Sequence, residues 1–158
     1  MEKKKIERTL LIIKPCAVQR GLIGEVISRI EKRGLKIIAM KMLQLTKEIL
    51  REHYSHKTDK PFYPLIEASM MAAPVVVICV EGLEAVRVVH DMAGATNGRD
   101  ALPGTIRGDM SVSGQENIVH TSDSLETASA ELKRFFSESD YYEYDSPLFN
   151  YLYAADEV

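Results

Sequence analysis

Asn117-Ile118-Val119-His120-Thr121-Ser122-Asp123-Ser124 sets a short β-branched strand directly against a helix start, and its place at the end of the chain's core pattern closes the order of elements. Asp123, with Glu126 three residues on, reads as a capping box, and Leu125, Ala128, Leu132 and Phe135/Phe136 recur at helical spacing behind it. The junction therefore presents His120 edge-on at a sheet's rim. Two readings of that histidine stay open on this segment: a residue that simply ends a strand, or a nucleophile. A free imidazole has a reference pKa of about 6.5 and is largely neutral at about pH 7, so it can attack phosphorus without first losing a proton.

Working outward, Thr9 to Lys14 is an apolar strand ended by Pro15, which keeps the residue before it extended and fixes Lys14 at the strand's carboxyl edge. From Gly21 to Arg33, Leu22, Ile23, Val26, Ile27 and Ile30 fall at helical spacing, with Gly34 as the C-cap. Leu35 to Leu45 is a second strand. Thr46 caps a short helix through His53 and Pro61 starts another that runs to about Ala72, a helical-hairpin insertion. Pro74 opens the apolar run to Val80, Glu84 to Ala93 is helical, and a long Gly/Pro-rich loop leads to Gln115. With the insertion set aside, the order is β-α-β-β-α-β. That is an α+β, ferredoxin-like plan: an antiparallel sheet with helices on one face. No repeat, linker or low-complexity segment interrupts it, so residues 1–158 are expected to form one domain.

Composition agrees. A chain of 158 residues with 46% hydrophobic content suffices for one compact core and is too short for two ordinary domains. A formal charge of −3 with a pI near 5.8 argues against a general nucleic-acid-binding surface, though not against a local cationic pocket. Cys16 and Cys79 form no C-x-x-C pair, and neither a disulfide scaffold nor a zinc site is suggested. The N-terminus, Met1-Glu2-Lys3-Lys4-Lys5, carries no long hydrophobic segment, and no stretch reaches the roughly 20 apolar residues of a membrane span. A cytoplasmic enzyme or binding protein is expected.

The loop from Gly94 to Asp109 is too long to be a mere connector. Thr96, Asn97, Arg99, Thr105 and Arg107 supply donors suited to phosphate oxygens, while Gly94, Gly98, Gly104 and Gly108 let backbone approach a ligand. An arginine-bearing loop that clamps a subunit interface fits the same residues, and the two roles are compatible. Neither a Walker A sequence nor a Rossmann glycine fingerprint occurs, so a phosphate site here is of another kind.

Across Glu7 to about Tyr144 the chain resembles nucleoside diphosphate kinase. The segments that carry the resemblance are Ile13-Lys14-Pro15, Val18-Gln19-Arg20-Gly21-Leu22, Ala39-Met40-Lys41, His53-Tyr54, Lys60-Pro61-Phe62, Gly94-Ala95-Thr96-Asn97, Pro103 to Asp109, and Asn117-Ile118-Val119-His120 followed by Ser122-Asp123-Ser124. Each alone is weak, but together and in order they are specific. The resemblance implies a ping-pong transfer of the γ-phosphoryl group of ATP or another nucleoside triphosphate to His120, and from there to a diphosphate. It also implies that Arg107 and Thr96 grip the phosphates, that Tyr54 lies near the transferred group, and that Lys14 and Asn117 bind the ribose hydroxyls. Phosphoryl transfer needs positioning and charge neutralisation, which these donor types supply.

Three further residues have a plain alternative beside the implied role. Phe62 would stack on the base, or be a core phenylalanine beside Tyr63. Glu131, two helical turns beyond Asp123, would orient the imidazole of His120, or be a solvated helix carboxylate. Lys14 would also offset phosphate charge, or be a solvated strand end. Mg²⁺ would be held mainly by the nucleotide phosphates, with no metal ligands expected from the protein.

Some positions depart from the family's pattern. Cys16 and Ala17 stand where an aspartate and a glycine are expected, and His56 stands where a carboxylate often lies. His90 occupies the place of an arginine that contacts the nucleotide phosphates, with Arg87 one turn earlier as a partial substitute. Loss of one charge-assisted hydrogen bond costs about 1.5 to 3 kcal/mol, so weakened rather than abolished turnover is expected. The alternative functions are a nucleotide-binding or interaction protein that has lost turnover, and a histidine phosphocarrier for protein partners. The family implies dimer-based hexamers or tetramers, the hexamer being favoured here, and the tail from Tyr141 to Val158 would expose apolar surface on a monomer.

Overall fold

In a computed structural model, which describes residues 5–158, the run Leu10-Leu11-Ile12-Ile13 lies within β1 (Ile6–Ile13). Met1 to Lys4, and with them most of the charged N-terminal stretch, lie outside the described residues. β1 is followed by α1 (Pro15–Gln19), α2 (Ile23–Lys32), β2 (Lys36–Leu43), α3 (Lys47–His53), α4 (Tyr63–Met71), β3 (Val75–Leu83), α5 (Ala85–Ala93), α6 (Ile106–Met110), β4 (Val119–Thr121), α7 (Leu125–Phe135) and α8 (Phe149–Leu152). The strands form one antiparallel sheet in the order β2-β3-β1-β4. This is the ferredoxin-like arrangement that the sequence predicts.

The second face of the sheet departs from expectation. Helices α2 and α5 cover one face, where Val26, Ile30 and Val89 pack against Leu11, Ile13, Val76, Ile78 and Val80. The other face is not open. Leu50 of α3, Met70 of α4, and Leu132 and Phe135 of α7 cover Leu10, Ile12, Val75, Val77 and Cys79. The cause is legible in β1 and β3, whose consecutive apolar residues leave no polar face to turn toward water.

Local chemistry shifts several boundaries. Pro15 ends β1 but also opens α1, because a helix's first turn needs no N–H from it. Gly34 takes φ +86° just past α2, with its N–H on Glu31 O and the N–H of Leu35 on Ile30 O, which closes the helix as a Schellman motif. Thr46 caps α3 through Ile49 N, as predicted. The second insertion helix starts at Tyr63 rather than at Pro61, with Pro64 in its first turn. α6 lies inside the stretch read as loop, capped by Thr105, whose hydroxyl accepts from Gly108 N. For α7 the cap is Ser124, accepting from Thr127 N at 3.1 Å, and not the predicted Asp123 box.

The tail straps across β2, an edge strand, and β3 beside it. Tyr142 N donates to Ile38 O, Tyr144 OH to Ile37 O, and Leu83 N to the Tyr153 hydroxyl. It still leaves Tyr142 at 71% and Tyr151 at 86% exposed. Among the described residues no helix is long and apolar enough to cross a membrane.

Candidate active site

Residues 117–119 turn back on themselves just before the histidine. Val119 N donates to Asn117 O at 2.8 Å across Ile118, which has φ +73° and is fully buried. This is a γ-turn of the rare, strained kind, and a β-branched residue there costs about 1–3 kcal/mol. Lys14 N helps hold it by donating to Ile118 O at 2.9 Å. The turn delivers His120 onto β4, an edge strand, opposite Ile12.

His120 is then fixed by α7. Its Nε2 donates to Glu131 Oε2 at 2.6 Å, and Ser122 Oγ donates to Glu131 Oε1 at 2.8 Å, so both carboxylate oxygens are engaged. Glu131 is 4% exposed, which rules out the solvated-charge reading. Burial pushes its carboxyl up, but the His120 hydrogen bond, the two neighbouring imidazoles and Ser122 together outweigh that and hold it below the usual range. With Nε2 carrying the proton, Nδ1 of His120 carries the lone pair.

His120 opens onto a cavity of about 900 Å³ lined by Lys14, Tyr54, Phe62, His90, Thr96, Arg107, Asn117 and Glu131, whereas Asn97, Arg99 and Thr105, also read as phosphate donors, do not line it and bond within their own loop. Lys14 Nζ donates to Asn117 Oδ1 at 2.6 Å and to Gln115 O at 3.1 Å, and burial lowers its amine to about 8. Asn117 Nδ2 donates to Thr96 O and Gly114 O, which ties the long loop to the strand. Arg107 gives one hydrogen bond from each guanidinium nitrogen, to the carbonyls of Asn117, Gly94 and Val119. Five N–H groups less those three leave two for a ligand. The loop thus clamps itself and contributes Thr96 and Arg107 to the cavity wall.

Phe62 is 47% exposed while Tyr63 beside it is 6% exposed, so Tyr63 is the core residue and Phe62 is held at the rim. Burial raises the Tyr54 phenol well above its ordinary value, leaving it a neutral donor. His90 Nδ1 meets Thr121 Oγ1 at 3.2 Å in the cavity wall. Arg87 does not take up the missing charge: it pairs with Glu84 and Asp91 on the exposed side of α5 and does not line the cavity.

Three residues not singled out complete the arrangement. Ser122 is fully buried against Glu131. His53, the last residue of α3, stacks edge-on against His120 with ring centroids 4.5 Å apart, and Arg134 Nη1 donates to its Nδ1 at 2.8 Å. Burial first, and repulsion from His120 whenever that ring is protonated second, depress the His53 imidazole to about 3, so it is neutral. The helical spacing of His53 and Arg134 gave no sign of this, because the two come together only when α3 packs on α7.

A histidine with one nitrogen engaged and the other free, beside a cavity lined with cations, hydroxyls and an exposed aromatic, suits phosphoryl chemistry on a nucleotide-like molecule. The family model for nucleoside diphosphate kinase matches residues 7–141. A nucleoside diphosphate kinase of Parabacteroides distasonis is 57% identical over 152 residues, covering 96% of this chain and 99% of its own length. One of Rhodopirellula baltica is 51% identical over 152 residues, covering 96% of this chain and all of its own length. The solved nucleoside diphosphate kinase of Halobacterium salinarum in complex with CDP superposes with a TM-score of 0.92 at 36% identity, covering 95% of this chain and 100% of that one. On site, fold and sequence together, the chain belongs to the nucleoside diphosphate kinase family.

Proposed function

We propose that this phosphotransferase works by a ping-pong reaction in which Nδ1 of His120 takes the γ-phosphoryl group of ATP and passes it to a nucleoside diphosphate. The observation that carries the reading is the 2.6 Å bond from His120 Nε2 to a buried Glu131, which leaves the lone pair on the other nitrogen. In the first step the Nδ1–phosphorus bond forms as the bond to the leaving β-phosphate oxygen breaks, and Glu131 stabilises the imidazolium charge that develops. Arg107, Thr96 and Tyr54 neutralise or donate to phosphate oxygens, Lys14 and Asn117 take the ribose hydroxyls, Phe62 stacks on the base, and His90 supplies a weaker contact in place of a guanidinium. Divalent metal, taken here as Mg²⁺, would ride on the phosphates and neutralise their charge. Loss of turnover is not favoured, a reading supported by the hydrogen bond between His120 and Glu131.

The reading extends to the whole molecule. Residues 1–158 form one domain, act in the cytoplasm, and assemble as a dimer-based hexamer that covers Met40 and Met42 on the outer strand together with the exposed tail tyrosines. The deciding experiment mixes the purified protein with γ-labelled ATP and Mg²⁺ and tests for an acid-labile, alkali-stable label. Label on the wild type, absent from His120→Ala and released by GDP as GTP, is the expected result. Nucleotide binding without label would sink it.

A further inference from the structure

His53 has no step in the transfer above, yet its side chain is 2% exposed and its Nε2 finds no partner among the described residues. Its Nδ1 lies 3.3 Å from Glu131 Oε2, the same oxygen that His120 Nε2 reaches at 2.6 Å. The three ligand atoms therefore sit within 4.8 Å of one another. Tetrahedral zinc, with bonds of about 2.0–2.2 Å, spaces its ligand atoms roughly 3.3–3.5 Å apart, so only small side-chain shifts separate this cluster from a coordination sphere. Two imidazoles and one carboxylate suit zinc or a similar transition ion and not Mg²⁺, which prefers oxygen.

We propose that His53 Nδ1, His120 Nε2 and Glu131 form an inhibitory site for Zn²⁺ or a like divalent cation, which blocks phosphorylation by reversing the tautomer of His120. In the free chain His120 holds its proton on Nε2 and its lone pair on Nδ1. A neutral imidazole bound to metal through Nε2 must keep its one proton on Nδ1. As the metal–Nε2 bond forms, the Nε2–H bond breaks and water takes that proton, while water returns one to Nδ1, so no net proton is lost. The nitrogen that must attack phosphorus is then blocked, and Glu131 has exchanged its hydrogen bond for a metal bond. His120 is 23% exposed at its side chain, which admits the ion and a water as fourth ligand. The cation does not find all its ligands free: Arg134 Nη1 holds His53 Nδ1 at 2.8 Å and must swing away toward Glu52, whose carboxylate already lies 3.3 Å from Arg134 Nε. Arg134 therefore limits the affinity of the site.

Inhibition rests on the phosphohistidine reading, whereas binding does not, and the test separates them. Zn²⁺ alone is titrated calorimetrically into the full-length protein, the tautomer of His120 is read by long-range ¹H–¹⁵N NMR, and labelling from γ-labelled ATP is followed after preincubation with Zn²⁺ or with Zn²⁺ and chelator. One Zn²⁺ per chain, a proton moved from Nε2 to Nδ1, and labelling slowed about tenfold or more and restored by chelator are expected. His53→Gln should weaken binding about 10–100-fold, and Arg134→Met should tighten it about three- to tenfold. No binding to wild type, binding unchanged in both variants, or equal inhibition of a folded His53→Gln would overturn the site. If His53→Gln fails to fold, Arg134→Met decides alone, and unchanged or weaker binding there refutes it. A Zn²⁺-induced tautomer change in a protein that never takes label without Zn²⁺ overturns the kinase reading and leaves the site standing.

Discussion

Which nitrogen of His120 is occupied decides the chemistry, and Glu131 decides that. Glu131→Gln keeps the shape but removes the charge that steadies a developing imidazolium, a charge-assisted bond of about 1.5–3 kcal/mol. A fall of about 10–100-fold in kcat with little change in KM is expected from steady-state kinetics; a change confined to KM would mean that Glu131 serves binding instead. Lys14 gives a second prediction. Its amine, lowered to about 8 by burial, is charged below that pH and neutral above it, so kcat/KM should fall as pH rises through about 8. Lys14→Arg, whose charge persists, should remove that limb from the profile. At His90, an arginine in place of the imidazole should raise kcat/KM by about tenfold, and no gain would show that this wall of the cavity does not meet phosphate. Lys14 and His120 were legible from motif order, since each lies in a short segment of recognisable spacing, while Glu131 was read from its place on the helix after His120 and His90 as a departure from the family's pattern. Their mutual geometry was not: the bonds from Lys14 to Asn117 and from Arg107 to three carbonyls join distant segments that only the folded sheet brings together.

The elements show where pattern reading works and where it stops. β1, β3, α2 and α5 follow from apolar runs or helical spacing, because burial on a fixed period is written into the residues themselves. α1 and α6 were hidden, since each has a residue that ordinarily breaks helices, Pro15 and Gly108, at a position where the break costs little or is locally capped. The γ-turn at Ile118 was invisible for the opposite reason: nothing in an isoleucine announces a positive φ, which only the surrounding contacts enforce. The cap of α7 offers a clean test at this scale. Ser124→Ala should cost about 1 kcal/mol in chemical denaturation, and Asp123→Ala less than about 0.5. The reverse ranking would restore Asp123 as the cap.

In the molecule as a whole, the cavity at His120 and the pocket under the C-terminal strap lie apart and share no lining residue. The cavity draws on nothing beyond Arg134, whereas the pocket under the strap is walled by Gly34, Leu35, Gly82, Tyr144, Leu152 and Tyr153. The strap is fitted closely: a Cβ on Gly34 would meet Leu152 Cδ2 at 2.6 Å, and one on Gly82 would meet Leu35 Cδ2 at 2.6 Å with the Tyr153 hydroxyl at 3.3 Å. Its contribution is therefore stability, made of the hydrogen bond from Leu83 N, two to the backbone of β2, those from Lys36 Nζ to Tyr144 O and from Arg8 Nη2 to Glu143, and the burial of part of Leu152 and Tyr153. Deleting residues 145–158 removes the Tyr153 bond and that burial, about 2 kcal/mol, which lowers the melting temperature by roughly 4–8 °C for a domain of this size. Histidine labelling below the new melting temperature should stay near the wild-type rate, because no wall of the cavity is lost. Labelling abolished in a truncated protein that is still folded by circular dichroism would mean that the strap reaches His120 through the sheet or through assembly, and sedimentation of the truncated chain would say which.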